Sequence, residues 1–212
     1  MLRKNTHPDI KKLVINNNKP LIVCDADEVI FDFMSTFEIF LKSNNLYFNW
    51  KSYALNGNIL NKNKIAIKDK EVKNILKAFF SEKTLSMPLI FGAKKSLEKL
   101  SKKYSIIILS NIPHEFYNAR KQALNSHNIK FPFFSNKGPK GKTVEFLANG
   151  ITKNIWFIDD SPHQIKSVKN YNENINTILF VNNLKLKRLI NHRICWDFFS
   201  SKWQTNVNIL LN

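Results

Sequence analysis

Ile22-Val23-Cys24-Asp25-Ala26-Asp27-Glu28-Val29 is the stretch that decides the fold. A strand-sized apolar run empties into two carboxylates one residue apart, and the chain then turns apolar again. Two like charges that close repel unless a cation or a proton sits between them. The pattern returns downstream as Ile155-Trp156-Phe157-Ile158-Asp159-Asp160. Two strands that each end in acids point to a divalent metal site at one edge of a parallel sheet.

Working outward, five runs read as strands: Pro20–Cys24, Ser105–Leu109, Phe131–Phe134, Asn154–Ile158 and Ile175–Val181. Helical patterns separate most of them. Ala93, Leu97 and Leu100 have helical spacing after Gly92, and Glu115–Asn125 and Lys142–Ala148 read as helices, the latter stopped by Gly150. Ser161-Pro162 is an N-cap followed by a first-turn proline. Alternating strands and helices imply a parallel α/β sheet with right-handed crossovers.

The connection from Val29 to Ser105 is far longer than the dozen or so residues a crossover needs. It carries two amphipathic stripes, Phe33, Phe37, Phe40 and Leu41, then Val72, Ile75, Leu76, Phe79 and Phe80. We expect residues 33–86 to form a small helical cap, and residues 1–32 with 87–212 to form the core domain. The cap would hang over the Asp25–Asp27 loop. Among its aromatics Phe48, Trp50 and Tyr53 are candidates to contact a ligand, with packing the better reading for most of them.

The bulk numbers set limits. A chain of 212 residues suits one core domain with an insertion, and 43% hydrophobic content is ordinary for a globular protein. The apolar runs are far short of a membrane span, and the Asn- and Lys-rich start does not resemble a signal peptide. Cys24 and Cys195 give no disulfide framework, which fits a reducing cytoplasm, and no membrane partner is expected. Against 16 Asp and Glu stand 33 Lys and Arg, a net charge of +17, so phosphorylated substrates and nucleic acid are candidate partners. The lysines are scattered along a chain rich in Lys, Asn and Ile, so a solvated surface accounts for most of this charge. The oligomeric state is not legible.

In doubly wound sheets, ligands bind beyond the carboxyl ends of the strands. Asp25 and Asp27, Ser110 and Asn111, and Asp159 and Asp160 all fall there, and Gly138-Pro139-Lys140-Gly141 precedes a helix. Singly, each has an ordinary explanation: acids in turns, a helix cap, a solvated lysine. Their conjunction, in this order at one sheet edge, resembles the haloacid dehalogenase-like (HAD) hydrolase superfamily. The first motif of that family, D-x-D-x-[TV], is met by Asp25-Ala26-Asp27-Glu28-Val29. Its Ser or Thr is met by Ser110, its Lys by Lys140, and its acidic motif by Asp159-Asp160. The resemblance spans about Pro20 to Val181. It implies an α/β, Rossmann-like parallel-sheet core with a C1-type helical cap inserted after the first strand.

It also implies chemistry. Asp25 would be the nucleophile that forms an aspartyl-phosphate, and Asp27 the general acid and base. Mg²⁺ would be held by Asp25, the Asp27 carbonyl and Asp160, with Asp159 binding through water or orienting Lys140. Ser110, Asn111 and Lys140 would bind phosphate. Lys140 is preferred over Lys137 and Lys142 because Gly138 and Gly141 flank it and let the backbone bend near an anion. The second acid, Asp27, separates phosphoryl transfer from hydrolytic dehalogenation. Glu28 departs from the Gly that many members carry; it would contact a substrate amine or point to solvent.

Two other readings compete. Gly141-Lys142-Thr143 imitates a P-loop nucleotidase, but that motif needs Gly at 136, where Asn136 stands. A non-enzymatic, basic HAD-like module that binds nucleic acid would use Lys187, Arg188 and Arg193 among Trp196, Phe198, Phe199 and Trp203, although such aromatics more often close a core. His114 and His163 fall near the motifs, and His163 reads as a surface residue.

Overall fold

The computed structural model describes residues 6–190 and 196–212; Arg193 and Cys195 lie outside that range. In chain order come β1 (Leu21–Cys24), α1 (Phe33–Ser43), β2 (Leu46–Phe48), β3 (Ile59–Asn61), α2 (Asp69–Lys83), α3 (Ala93–Leu100), β4 (Ser105–Ser110) and α4 (Tyr117–Ser126). Then follow β5 (Phe133–Ser135), α5 (Gly141–Ala148), β6 (Ile155–Asp159), α6 (Pro162–Tyr171), β7 (Asn176–Phe180), α7 (Leu184–Lys187), β8 (Phe198–Ser200) and α8 (Trp203–Leu211).

Six strands form one parallel sheet in the order β5-β4-β1-β6-β7-β8. All four residues of β1 are fully buried, as expected of a central strand in a parallel sheet covered on both faces. β1 lies between β4 and β6, so the strand order reverses across it. That reversal opens a crevice at the carboxyl ends of these three strands, into which Asp25, Ser110 and Asp159 emerge.

The five expected strands are present, with ends shifted by a residue or two. The sixth, β8, lies in the aromatic segment near Trp203. Phe199 pairs with Leu179 of β7, and the Phe198 ring lies 5.5 Å from that of Trp156. Trp203 is 1% exposed and belongs to the core. These aromatics close the sheet edge.

Between β1 and α3 the expected amphipathic stripes form α1 and α2. Phe79 of α2 inserts among Phe33, Phe37 and Phe40 of α1, with ring centroids 5.0–5.4 Å apart. The segment is not wholly helical: β2 and β3 add a short antiparallel ladder. Strands of three residues leave too little alternation to be read from sequence. The insertion is tied to α7 by Lys185, whose Nζ lies 2.8 Å from Glu38 Oε1 and 5.0 Å over the Trp50 ring. The Trp50 indole N–H donates to the same Glu38 oxygen. Among the described residues no helix is long and apolar enough to cross a membrane.

Candidate active site

The loop after β1 is a tight turn. The N–H groups of Ile30 and Phe31 both donate to the Ala26 carbonyl, and Glu28 N–H donates to Phe31 O. Glu28 takes φ +62°, a conformation that favours glycine. The turn is anchored from below, since Asp25 N–H donates to Ile158 O of β6. From the side, the Trp203 indole N–H donates to Val29 O.

Asp25, Lys140 and Asp159 form a buried charged row. Lys140 Nζ lies 2.7 Å from Asp25 Oδ1 and 2.7 Å from Asp159 Oδ2, and the lysine is 1% exposed. Burial alone would push the Lys140 ammonium down, yet Asp159 and Asp25 beside it hold its pKa above the ordinary lysine value. Asp159 Oδ1 also accepts from Ser161 N–H, which fixes both of its oxygens. The Asp25 carboxyl is pushed above the usual carboxylate range by burial. Lys140 opposes this shift; Asp159 and Asp27 add to it. Asp160 is pushed up as well, by burial and then by Asp159, Asp25 and Glu28.

Oxygen atoms of Asp25, Asp159 and Asp160 lie within 4.8 Å of one another. Asp25 Oδ1 makes no well-aligned hydrogen bond even with Lys140 close by. Crowded, desolvated carboxylates fit a hard divalent cation, which prefers oxygen ligands and would offset their repulsion. Since Asp159 is engaged by Lys140 and Ser161, Asp25 and Asp160 are the carboxylates left for such an ion.

Asp27 turns the other way. Its Oδ1 lies 2.6 Å from Arg120 Nη2, and its Oδ2 accepts from Ser110 Oγ at 2.9 Å. Arg120, on α4, is fully buried, with its guanidinium 4.4 Å over the Phe31 ring. Ser110 is fully buried too, and its Oγ accepts from Ile112 N–H. In this structure the Ser110 hydroxyl serves Asp27.

Asn111 donates to the Gly138 carbonyl at 2.9 Å, and the amides of Asn136 and Gln164 converge on the same oxygen. Gln164 Oε1 accepts from Lys140 N–H, which sets the lysine between the two acids. The bend is made at Gly138, with φ +78°. Gly141 serves packing instead: a Cβ there would lie 2.2 Å from Ser167 O of α6. Lys137, Lys142 and His163 are exposed. His114 Nδ1 is 2.6 Å from Ser135 Oγ.

A cavity of about 330 Å³ opens above Asp25. Asp25, Asp27, Asn111, Lys140, Asp159 and Asp160 line its floor, and residues of α1, α2 and the β2–β3 connection line its roof. Glu28 also borders it and is buried, which overturns the expectation that it points to solvent. It is 3% exposed and accepts from Met34 N–H in the first turn of α1, where free amides and the helix dipole favour an acceptor. Burial pushes its carboxyl up to about 8, despite that amide. Of Phe48, Trp50 and Tyr53, only Tyr53 borders the cavity; its hydroxyl is buried without a partner.

Sequence reasoning missed Arg120, Gln164 and the bordering role of Tyr53. Arg120 lies in Tyr117-Asn118-Ala119-Arg120-Lys121, where nothing separates it from a solvated helix charge.

No protein-family model matches the chain, and no curated protein matches it in sequence. Solved structures do match. A conserved haloacid dehalogenase-like protein of unknown function from Agrobacterium tumefaciens superposes with a TM-score of 0.65 at 16% identity, covering 92% of this chain and 98% of the other. A protein from Haemophilus somnus, described as a predicted phosphoglycolate phosphatase, gives 0.60 at 14% identity, covering 92% and 99%. A HAD-hydrolase of Bacillus subtilis, bound to magnesium, gives 0.60 at 14% identity, covering 92% and 100%. Dehalogenases are among the other solved structures with this architecture. The chain has the haloacid dehalogenase-like fold.

Proposed function

We propose that the protein is a Mg²⁺-dependent phosphatase that hydrolyses a phosphate monoester through an aspartyl-phosphate on Asp25. The observation that carries this reading is the buried Asp25 carboxylate at the end of β1, held 2.7 Å from Lys140 and within 4.8 Å of Asp159 and Asp160 oxygens. Fold likeness alone does not choose a chemistry; this cluster and the second acid of the loop support phosphoryl transfer.

Asp25 attacks phosphorus, and the bond from phosphorus to the ester oxygen breaks. Asp27 gives a proton to the departing oxygen, then takes one from the water that attacks the phosphorylated Asp25. Phosphate leaves and Asp25 is regenerated. In the structure both Asp27 oxygens are held, by Arg120 and Ser110, so proton transfer requires exchanging one of these contacts for substrate. Release of Ser110 from Asp27 would also free its hydroxyl to donate to phosphate. Lys140 offsets charge that builds on the phosphoryl oxygens, and Asn111 braces the loop that positions Lys140. Mg²⁺, held by Asp25, Asp160 and the Asp27 carbonyl, would screen the anionic nucleophile from the anionic substrate. The insertion roofs the site and limits water.

The test is hydrolysis of a generic aryl phosphate with Mg²⁺ and with chelator, for wild type and Asp25→Asn. Mg²⁺-dependent turnover that vanishes in a folded Asp25→Asn protein is expected. Equal turnover by the folded mutant sinks the assignment.

A further inference from the structure

We infer that the cavity takes a small phosphate monoester whose alcohol part is apolar, a single ring or a short alkyl chain. This rests on the phosphatase reading for the position of the phosphate, and on the roof for the rest of the substrate. Phe33, Met34, Leu55, Leu76, Phe80 and Leu186 all border the space above Asp25. They come from α1, α2, the β2–β3 connection and α7, so four separate elements present apolar surface to one volume.

Several of the polar groups around that volume already have protein partners. Glu28 accepts from Met34 N–H. The Gln164 amide serves Lys140 N–H and Gly138 O, and the Asn111 amide serves Gly138 O and Asn136. Among the described lining residues Lys140 is the sole Lys or Arg, and Asp25 and Asp159 hold it. A second anionic group on the substrate would find no counter-ion there. Beneath the apolar roof a sugar would turn hydroxyls onto Phe33, Leu55, Leu76 and Phe80, and each one left unpaired weakens binding by roughly tenfold or more.

One polar group does face an opening. Tyr53 borders the cavity with a buried hydroxyl that has no partner. Ligand pockets are mostly apolar with a small number of placed polar groups, and Tyr53 fits the second role. It would hydrogen-bond one polar atom of the alcohol part, such as a single hydroxyl or carbonyl. A volume of about 330 Å³ sits at the small end of ligand pockets, which favours a short alcohol part over a long chain.

The experiment compares phenylpropylphosphonate with methylphosphonate by calorimetry, on the Mg²⁺-loaded wild-type protein. Neither compound can be hydrolysed, so the ratio reads the roof alone. Phenylpropylphosphonate should bind at least tenfold tighter; equal or weaker binding overturns the inference. Leu76→Asn, outside the charged floor, should reduce that ratio at least threefold while leaving methylphosphonate unchanged, and Leu76→Met should preserve it. An undiminished ratio in a folded Leu76→Asn protein overturns the roof assignment. Turnover separates the two readings. Tight phosphonate binding with no hydrolysis of phenylpropyl phosphate sinks the phosphatase and keeps the pocket. A higher kcat/KM for a hexose phosphate than for phenylpropyl phosphate sinks the pocket and keeps the phosphatase.

Discussion

Arg120 Nη2 sits 2.6 Å from Asp27 Oδ1, and the arginine is fully buried while the Asp27 side chain keeps 19% of its surface. The carboxylate can therefore be reached from the cavity, but the cation that orients it cannot. Arg120→Met should leave Asp27 without its partner, and Asp27→Asn should leave Arg120 as a buried uncompensated charge. Removing one member of a buried pair is strongly destabilising. A double-mutant cycle in denaturant should give a coupling energy of about 1–3 kcal/mol. A coupling near zero would mean that the pair contributes nothing to the fold.

Lys140 stands between two carboxylates, so Lys140→Met should destabilise the metal-free protein by about 3–5 kcal/mol near neutral pH. Asp25 is already raised by burial, and without Lys140 it rises further, so the loss should shrink on acidification as Asp25 takes a proton. Mg²⁺ should restore part of it, read as a larger metal-induced increase in Tm than in wild type. For turnover, Lys140→Ala should cost about 100-fold or more, and Lys142→Ala, at an exposed position, should stay within about twofold.

Glu28 makes stability depend on pH. Its folded value of about 8 lies above the ordinary 4.5, so its contribution is fully present below 4.5 and is lost as pH rises through 8. Glu28→Gln keeps an acceptor for Met34 N–H and removes the titration. In chelator, the variant should gain on wild type between pH 4.5 and 8, by a few kcal/mol at the upper end. Parallel stability curves for the two proteins would contradict the burial of this carboxyl.

Two glycines near Lys140 should respond differently to alanine. At Gly141 a Cβ meets the Ser167 carbonyl at 2.2 Å and Tyr171 Cδ2 at 2.6 Å, so α5 and α6 must separate. Gly141→Ala should cost about 1–3 kcal/mol, as overpacking does. At Gly138 there is open space but φ is +78°, so Gly138→Ala should cost about 1 kcal/mol of backbone strain. The midpoints of thermal unfolding rank the two.

Asp25, Asp159 and Lys140 were legible because apolar strands and a glycine-flanked helix start point to them, and strands carry their ends to one sheet edge. Arg120 was not. Its role arises from how α4 docks on Phe31 and Met87, a tertiary contact with no local signature. Tyr53 was named as an aromatic of the insertion, but its place beside the cavity depends on the path of a polar segment without regular structure. β8 escaped because Phe198–Ser200 is three residues long at a sheet edge. Glu28 was misjudged since a carboxylate in a loop normally seeks water; the free amides of α1 gave it another partner.

Trp203 donates its indole N–H to Val29 O, across 174 positions of sequence. Around it, α8 packs on α3, and the Tyr104 hydroxyl donates to Leu210 O. The loop that carries Asp25 and Asp27 thus receives one of its braces from a helix far downstream of it in sequence. During synthesis β1 and its acids emerge before α8, and the turn beyond them lacks that brace until α8 docks. The final shape of the acidic loop is therefore coupled to the docking of α8. A nascent protein stalled before residue 203 would display the acidic loop without the indole that closes behind it.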